Sequence, residues 1–265
     1  CIAKGRNTMP IVQSVSWWCF TPRLMPPEEF VRAAAEAGYS ALDLVPPEHW
    51  ELVRAHGLTI SSVQGHMPLE VGLNQRALHA QLERDIRTRL EQAARLEIPT
   101  VLCFSGNRNG LSDADGAAAM AESLGRLAPA AEDAGVTLVI ELLNSKVDHP
   151  DYQADHTAWG AEVCSMVGSP RVKLLYDIYH MQIMEGDVIR TIRDYHQHIG
   201  HYHTAGNPGR NDLDDEQELF YPAIMCAIRD TGFSGYVAHE FLPKGEPKAA
   251  LRAAFKLCAP HLGEV

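Results

Sequence analysis

The sequence predicts an α/β protein, a (β/α)8 TIM barrel in which eight parallel strands close on themselves. Three observations carry that expectation. Strand-like apolar runs and helix-like stretches alternate eight times along 265 residues, close to the usual length of one such barrel. The segments that follow the strands are rich in polar and titratable residues, and those that precede them are short and plain. Four acidic or imidazole side chains of the second half, Glu141, Asp177, His203 and Glu240, each stand at the end of an apolar run. All strands of this barrel end at one face, so the four would converge there. One imidazole and three carboxylates suit a divalent metal such as Mg²⁺ or Mn²⁺, with Co²⁺ or Zn²⁺ as alternatives.

The elements follow in order. Ile11-Val-Gln-Ser-Val-Ser-Trp17 reads as strand one, and a helix from Pro26 to about Ala37 opens on proline and stops at Gly38. Ala41–Val45 is strand two, and the helix opened by Pro47 ends before Gly57. Thr59–Val63 is strand three. Asn74–Glu97 carries Leu78, Leu82, Ile86, Leu90 and Ala94 at intervals of four, one stripe of a long helix. Thr100–Phe104 is strand four, and a helix runs from about Ser112 to Ala134. Strands five to eight are the runs into Glu141, Asp177, His203 and Glu240. Helices near Thr157–Val167, Asp187–Tyr195, Pro222–Asp230 and Lys248–Lys256 fill the intervals. A doubly wound sheet is the rival, but it usually carries a Gly-rich phosphate loop after its first strand. Here Trp17-Trp-Cys-Phe-Thr-Pro stands in that place. With no linker and no short-period repeat, one domain over residues 1–265 is expected.

Composition narrows the function classes. Apolar residues make up 46% and charged residues 22%, as in an ordinary globular protein. The formal net charge of −11 opposes nucleic-acid binding, because phosphate backbones need a basic surface. No apolar run is long enough to suggest a membrane span. Six cysteines without a CxxC pair read as free buried thiols in a reducing compartment, the cytoplasm. An exported form that has lost a signal is the alternative. Cys1-Ile-Ala-Lys-Gly-Arg-Asn-Thr precedes Met9, and residues 1–10 are expected to be a peripheral extension.

The candidate site residues differ in what else they could be. Glu141 and Glu240 leave their strands at the barrel mouth, where a buried carboxylate is costly unless paired or metal-bound. A structural ion pair is the bland alternative. Asp177 and His180 form D-x-x-H, with Asp177 suited to a metal and His180 to a substrate oxygen or to a structural hydrogen bond. His201 and His203 share one face of strand seven, and His203, nearer the mouth, is the ligand. His201 is either a supporting group or a core layer residue. His239 faces away from Glu240 and reads as packing. Arg210, in a Gly-Pro-rich loop, could hold a substrate oxyanion. His66, Lys146 and Trp17 are further substrate-binding candidates, with solvation or core packing as their plain readings. Trp17, Trp18 and Phe20 together could wall a small substrate.

Glu141-Leu-Leu-Asn144, Tyr176-Asp-Ile-Tyr-His180-Met-Gln, Gly200-His-Tyr-His203 with Pro208-Gly-Arg210, and Gly235-Tyr-Val-Ala-His-Glu240 resemble the xylose-isomerase-like TIM-barrel superfamily of sugar isomerases and epimerases. Within it the hydroxypyruvate isomerase group is nearest, and the resemblance runs from about Ile11 to Phe255. It implies a metal held by Glu141, Asp177, His203 and Glu240, with Glu141 and Glu240 also the acid/base pair. His180 and Arg210 would contact substrate oxygens. The implied chemistry moves a proton α to a carbonyl through an enediolate, so isomerase and epimerase can share one site. One departure is that hydroxypyruvate isomerases commonly carry Gln where this chain has His203, while ketose 3-epimerases carry His. The Gln-Ser-Val-Ser-Trp-Trp-Cys-Phe start favours the hydroxypyruvate branch. The expected partner is a small sugar or hydroxy-keto acid, with no nucleic acid, no membrane, and at most further copies of the chain. A ketose 3-epimerase, an inosose-type dehydratase, an endonuclease IV-like DNA enzyme and a non-catalytic sugar- or metal-binding barrel are the rivals. The DNA enzyme needs several metals and a basic groove, and a mere binder has no need of two poised glutamates.

Overall fold

The computed structural model describes residues 11–263, so the N-terminal extension lies outside the described residues. In chain order the elements are β1 (Val12–Ser16), α1 (Trp17–Phe20), α2 (Pro27–Ala37), β2 (Ala41–Asp43), α3 (Trp50–Ala55), β3 (Thr59–Gln64), α4 (His79–Arg95), β4 (Thr100–Cys103), α5 (Asp113–Ala134) and β5 (Thr137–Glu141). The second half adds α6 (Thr157–Val167), β6 (Val172–Asp177), α7 (Ile178–Met184), α8 (Val188–Tyr195), β7 (Ile199–Thr204), α9 (Tyr221–Asp230), β8 (Tyr236–His239) and α10 (Pro247–Leu262). The strands form a closed parallel barrel in the order β1 to β8, as expected.

Contacts group the described residues into two compact units, one of residues 11–61, 187–196 and 202–263, the other of Ser62–Gly186 and Gln197–His201. In the first, β1 lies between β2 and β8, with Ser16 opposite Asp43 and Val15 opposite His239. β8 also pairs with β7, His203 opposite Ala238 and Thr204 opposite His239. This register brings the ends of β1, β2, β7 and β8 to one level. Helix α2 starts on proline, carries Glu28 and Glu29 in its first turn and stops at Gly38, whose φ of +111° suits glycine. His239 is a packing residue, as expected. It is buried, and its ring bonds Gln13 Oε1 at 2.9 Å and Thr204 Oγ1 at 2.7 Å.

In the second unit β4 lies between β3 and β5, and β5 pairs on with β6. Gly160 lets α6 settle on the sheet, since a Cβ there would come within 2.7 Å of Leu174 Cδ2. The loops after β3 and β4 are pressed together at Gly72, where a Cβ would lie 2.2 Å from the carbonyl carbon of Ser105 and the nitrogen of Gly106. His66 ties the same loops. Its Nε2 accepts the Phe104 N–H at 3.0 Å, and burial pushes its pKa down to about 4, so it is neutral near pH 7.

Several elements differ from expectation. The stripe read as helix from Asn74 begins with a 3-10 turn at Arg76–Leu78 and becomes α-helical at His79. Asn74 stays in the loop because its amide bonds Asn107 O at 2.8 Å and Gln153 Oε1 at 2.7 Å. Asp177-Ile-Tyr-His180, read as the segment after strand six with His180 at a helix N-terminus as its plain alternative, opens helix α7. Helix α10 runs on to Leu262 rather than stopping near Lys256. The five described cysteines are free, four of them buried, and no described helix is long and apolar enough to cross a membrane.

Gly72→Ala is expected to cost about 1–3 kcal/mol, because the neighbouring atoms are backbone and cannot yield. Gly125→Ala, in the interior of α5 with nothing within 4 Å, should gain about 0.5–1 kcal/mol. Thermal melts check both. We propose that residues 1–265 are one domain, so each melt should show a single transition.

His66 gives a pH dependence. Its folded pKa lies below the unfolded value, so its contribution is complete above about pH 6.5. As the pH falls from there toward about 4, the unfolded chain takes up a proton that the folded one refuses. Stability then drops by up to ~1.4 kcal/mol per pH unit from this group. Urea melts between pH 7 and pH 4.5 should show a shallower loss in His66→Gln, and equal slopes would count against it.

Candidate functional site

Glu240 is the first residue after β8, and its N–H is held by Thr204 O at 2.9 Å. Its buried carboxylate is gripped on both oxygens. Oε1 accepts Trp18 Nε1 at 2.5 Å and Ser16 Oγ at 3.3 Å. Oε2 accepts Arg210 Nη2 at 2.5 Å and lies 2.8 Å from His203 Nδ1. The Arg210 guanidinium also sits over the Trp18 ring, 5.4 Å from its centroid. Burial alone would raise the Glu240 pKa. The charges of His203 and Arg210 and the donated hydrogen bonds outweigh it and hold the carboxyl at about 2, so it is ionised near neutral pH.

His203 is fully buried in β7, and its Nε2 lies 3.0 Å from Asp43 Oδ2 at the end of β2. The other oxygen of Asp43 accepts Ser61 Oγ at 2.5 Å. An ionised Asp43 can only accept, so His203 donates to it from Nε2 and turns Nδ1 toward Glu240.

Glu141 is the last residue of β5 and is buried. Its carbonyl is fixed by the hydroxyl of Tyr152, which donates to it at 3.0 Å and accepts the Ser105 N–H at 3.1 Å. Asp177 ends β6 and caps α7, with Oδ1 accepting the N–H groups of Tyr179 (2.9 Å) and His180 (3.2 Å). His180 Nδ1 accepts from Asn144 twice, from its backbone N–H at 3.1 Å and its side-chain amide at 2.6 Å. The amide orientation is set because Asn144 Oδ1 accepts the N–H groups of Val147 and Asp148. His180 is therefore an acceptor at Nδ1 and a donor at Nε2, which lies 3.6 Å from Asp177 Oδ2.

One ligand atom from each of Glu141, Asp177, His203 and Glu240 lies within 4.8 Å of the other three, and all four residues are buried. These donors fit a divalent cation. His203 Nδ1 lies 2.8 Å from Glu240 Oε2. Such a spacing suits two neighbouring ligands of one ion, since bonds of about 2.0–2.1 Å at right angles put ligands about 3 Å apart. A second group, Asp43, His201 and His203, also meets the distance test. It fits a cation less well, because the 3.0 Å from Asp43 to Nε2 is that of a hydrogen bond.

The other expected residues divide. His180 and Arg210 stand beside proposed ligands. Lys146 spends its ammonium on the carbonyls of Ile183 (3.1 Å) and Met184 (2.9 Å), at the end of α7. His66 spends Nε2 on Phe104, as above. Trp17 is buried, stacked on His49 at 4.7 Å and edge-on to Phe30, because the chain turns into α1 at this residue instead of continuing β1. The indole that reaches Glu240 is its neighbour Trp18, 43% exposed. Sequence reasoning missed Asp43, although a single acid within Ala41-Leu-Asp-Leu-Val45 is a signal of a buried, partnered carboxylate. Asn144, in the Glu141-Leu-Leu-Asn144 segment, orients His180 through its backbone N–H and side-chain amide.

Comparison with known proteins follows the geometry. The 2-oxo-tetronate isomerase of Cupriavidus necator is 33% identical over 252 residues, 89% of this chain and 93% of that one. The hydroxypyruvate isomerase of Escherichia coli is 32% identical over 117 residues, 44% of this chain and 45% of that one. A crystal structure titled AP endonuclease, family 2, from Brucella melitensis superposes with a TM-score of 0.81 at 26% identity, covering 96% of this chain and all of that one. The family model described as xylose isomerase-like TIM barrel matches residues 31–260, and the chain belongs to that family.

Proposed function

We propose that the chain is a metal-dependent isomerase of the aldose–ketose type acting on a small hydroxy-keto acid, with hydroxypyruvate to tartronate semialdehyde as the reaction. The observation that carries this reading is the pair of buried carboxylates, Glu141 and Glu240, within one four-residue group. The isomerase names of the relatives support the reaction class. The net charge of −11 opposes the DNA substrate that the name of the Brucella protein suggests for that protein.

Glu141, Asp177, His203 and Glu240 would hold the cation, Mg²⁺ or Mn²⁺, with Co²⁺ or Zn²⁺ as alternatives. When bound, such an ion polarises a carbonyl and stabilises negative charge that develops on oxygen. The chain's own residues then move the protons. One glutamate takes a proton from C3 of hydroxypyruvate, and the other supports its delivery to C2. The hydroxyl proton passes from the C3 oxygen to the C2 oxygen, so the product is an isomer and no redox partner is needed. His180 donates from Nε2 to a substrate oxygen. Arg210 fixes Glu240 as a carboxylate and presents positive charge to an acidic substrate. Trp18 covers the Glu240 side of the site, and His66, Lys146 and Trp17 support the surrounding loops.

A 3-epimerase is the second reading, favoured by the imidazole at His203. It uses the same two carboxylates on opposite faces of one carbon.

Glu141→Gln and Glu240→Gln should each lose about 10²–10⁴-fold in turnover while retaining substrate binding. Metal content must be measured beside the rate, since each residue is also a ligand. Near-normal turnover in both metal-loaded variants would exclude the two-glutamate mechanism.

Chelation should abolish turnover, and Mn²⁺ or Mg²⁺ should restore it. Hydroxypyruvate, 2-oxo-tetronate, small ketoses and inosose, followed by NMR in D₂O, separate the substrate readings. Deuterium is expected at carbon in an isomerised hydroxy-keto acid. Loss of water from inosose alone would assign a dehydratase instead.

A further inference from the structure

We infer that Asp43 is a positioning residue that fixes the tautomer and the ring direction of His203, so that Nδ1 is the nitrogen offered to the cation. This rests on the metal reading above and extends it to a residue outside the ligand set. Asp43 ends β2, in register with Ser16 across the β1–β2 ladder, and is fully buried. Its Oδ2 lies 3.0 Å from His203 Nε2, and its Oδ1 accepts Ser61 Oγ at 2.5 Å.

The hydrogens can be counted. A carboxylate only accepts, so the single hydroxyl hydrogen of Ser61 goes to Asp43. Ser14 Oγ at 3.0 Å and Leu42 O at 3.2 Å from the same Ser61 Oγ are the more distant neighbours. All four side chains are buried, so no exposed rotor randomises the chain of donors. Ser61 thus fixes the direction of Asp43, and Asp43 holds the proton of His203 on Nε2. The opposite nitrogen, Nδ1, then faces Glu240 Oε2 at 2.8 Å, on the side of the four proposed ligands. A ring turned over, or protonated on Nδ1, would lose the hydrogen bond to Asp43 and place a proton where the ion belongs. The same geometry explains why Asp43, His201 and His203 group together without forming a second metal site: Nε2 is already committed to a hydrogen bond.

The test titrates metal-stripped protein with Mn²⁺ and follows the free ion by EPR. Asp43→Ala should weaken Mn²⁺ binding about 10–100-fold. Asp43→Asn keeps an oxygen that can accept Nε2–H but loses the charge, so its loss should be smaller. Ser61→Ala, which frees Asp43 without touching His203, should also weaken binding and serves if the Asp43 variants fail to fold. Long-range ¹H–¹⁵N spectra of the metal-free protein should show His203 protonated on Nε2 in the wild type and a mixture of tautomers in Asp43→Ala. Folded variants that bind Mn²⁺ within twofold of wild type and keep its tautomer would overturn the role of Asp43 and leave the metal reading intact. A wild type that binds no Mn²⁺ would overturn the metal reading and this inference with it.

Discussion

The site depends on the compensation of the buried Glu240 carboxylate. Removing one ion from water costs several kcal/mol even after the protein relaxes. Here the cost is offset by an indole N–H, a hydroxyl, a guanidinium and an imidazole, each from a different place in the sequence. The β1–β8 and β7–β8 registers exist at the right height for those partners to meet it. Trp18 and Ser16 are at the end of β1, His203 is in β7, and Arg210 is in the loop that follows. A slip of one residue in β7 would turn His203 to the other side of the strand.

A second tier of residues holds the first. Asp43 meets His203, Asn144 meets His180, and Tyr152 meets the Glu141 carbonyl. Each supplies a hydrogen bond whose direction is set by donors and acceptors further out. Rigid placement of this kind is what general acid–base chemistry needs, because a glutamate must reach one particular proton. It also agrees with membership of a family built on this barrel.

Much of this was legible in the sequence. All eight strands were marked by apolar runs, and in the second half the acidic or imidazole residue at the end of each run picked out Glu141, Asp177, His203 and Glu240. What could not be read was which way a side chain turns where one element passes into the next. Trp17 and Trp18 are adjacent and chemically alike, and only the start of α1 at Trp17 decides which enters the core. The cap that Asp177 places on α7 was hidden because the helix is short and apolar. Asp43 escaped because its partners, Ser61 and His203, lie far along the chain and meet it only through the fold. Lys146 and His66 carry chemistry in name, but their polar atoms are spent on backbone groups.

The most direct test is anomalous diffraction from crystals grown with Mn²⁺. One peak is expected, with atoms of Glu141, Asp177, His203 Nδ1 and Glu240 at about 2.0–2.6 Å from it. His203 Nε2 should still face Asp43. A peak at Asp43, His201 and His203, or no peak in crystals saturated with the ion, would contradict this assignment of the site.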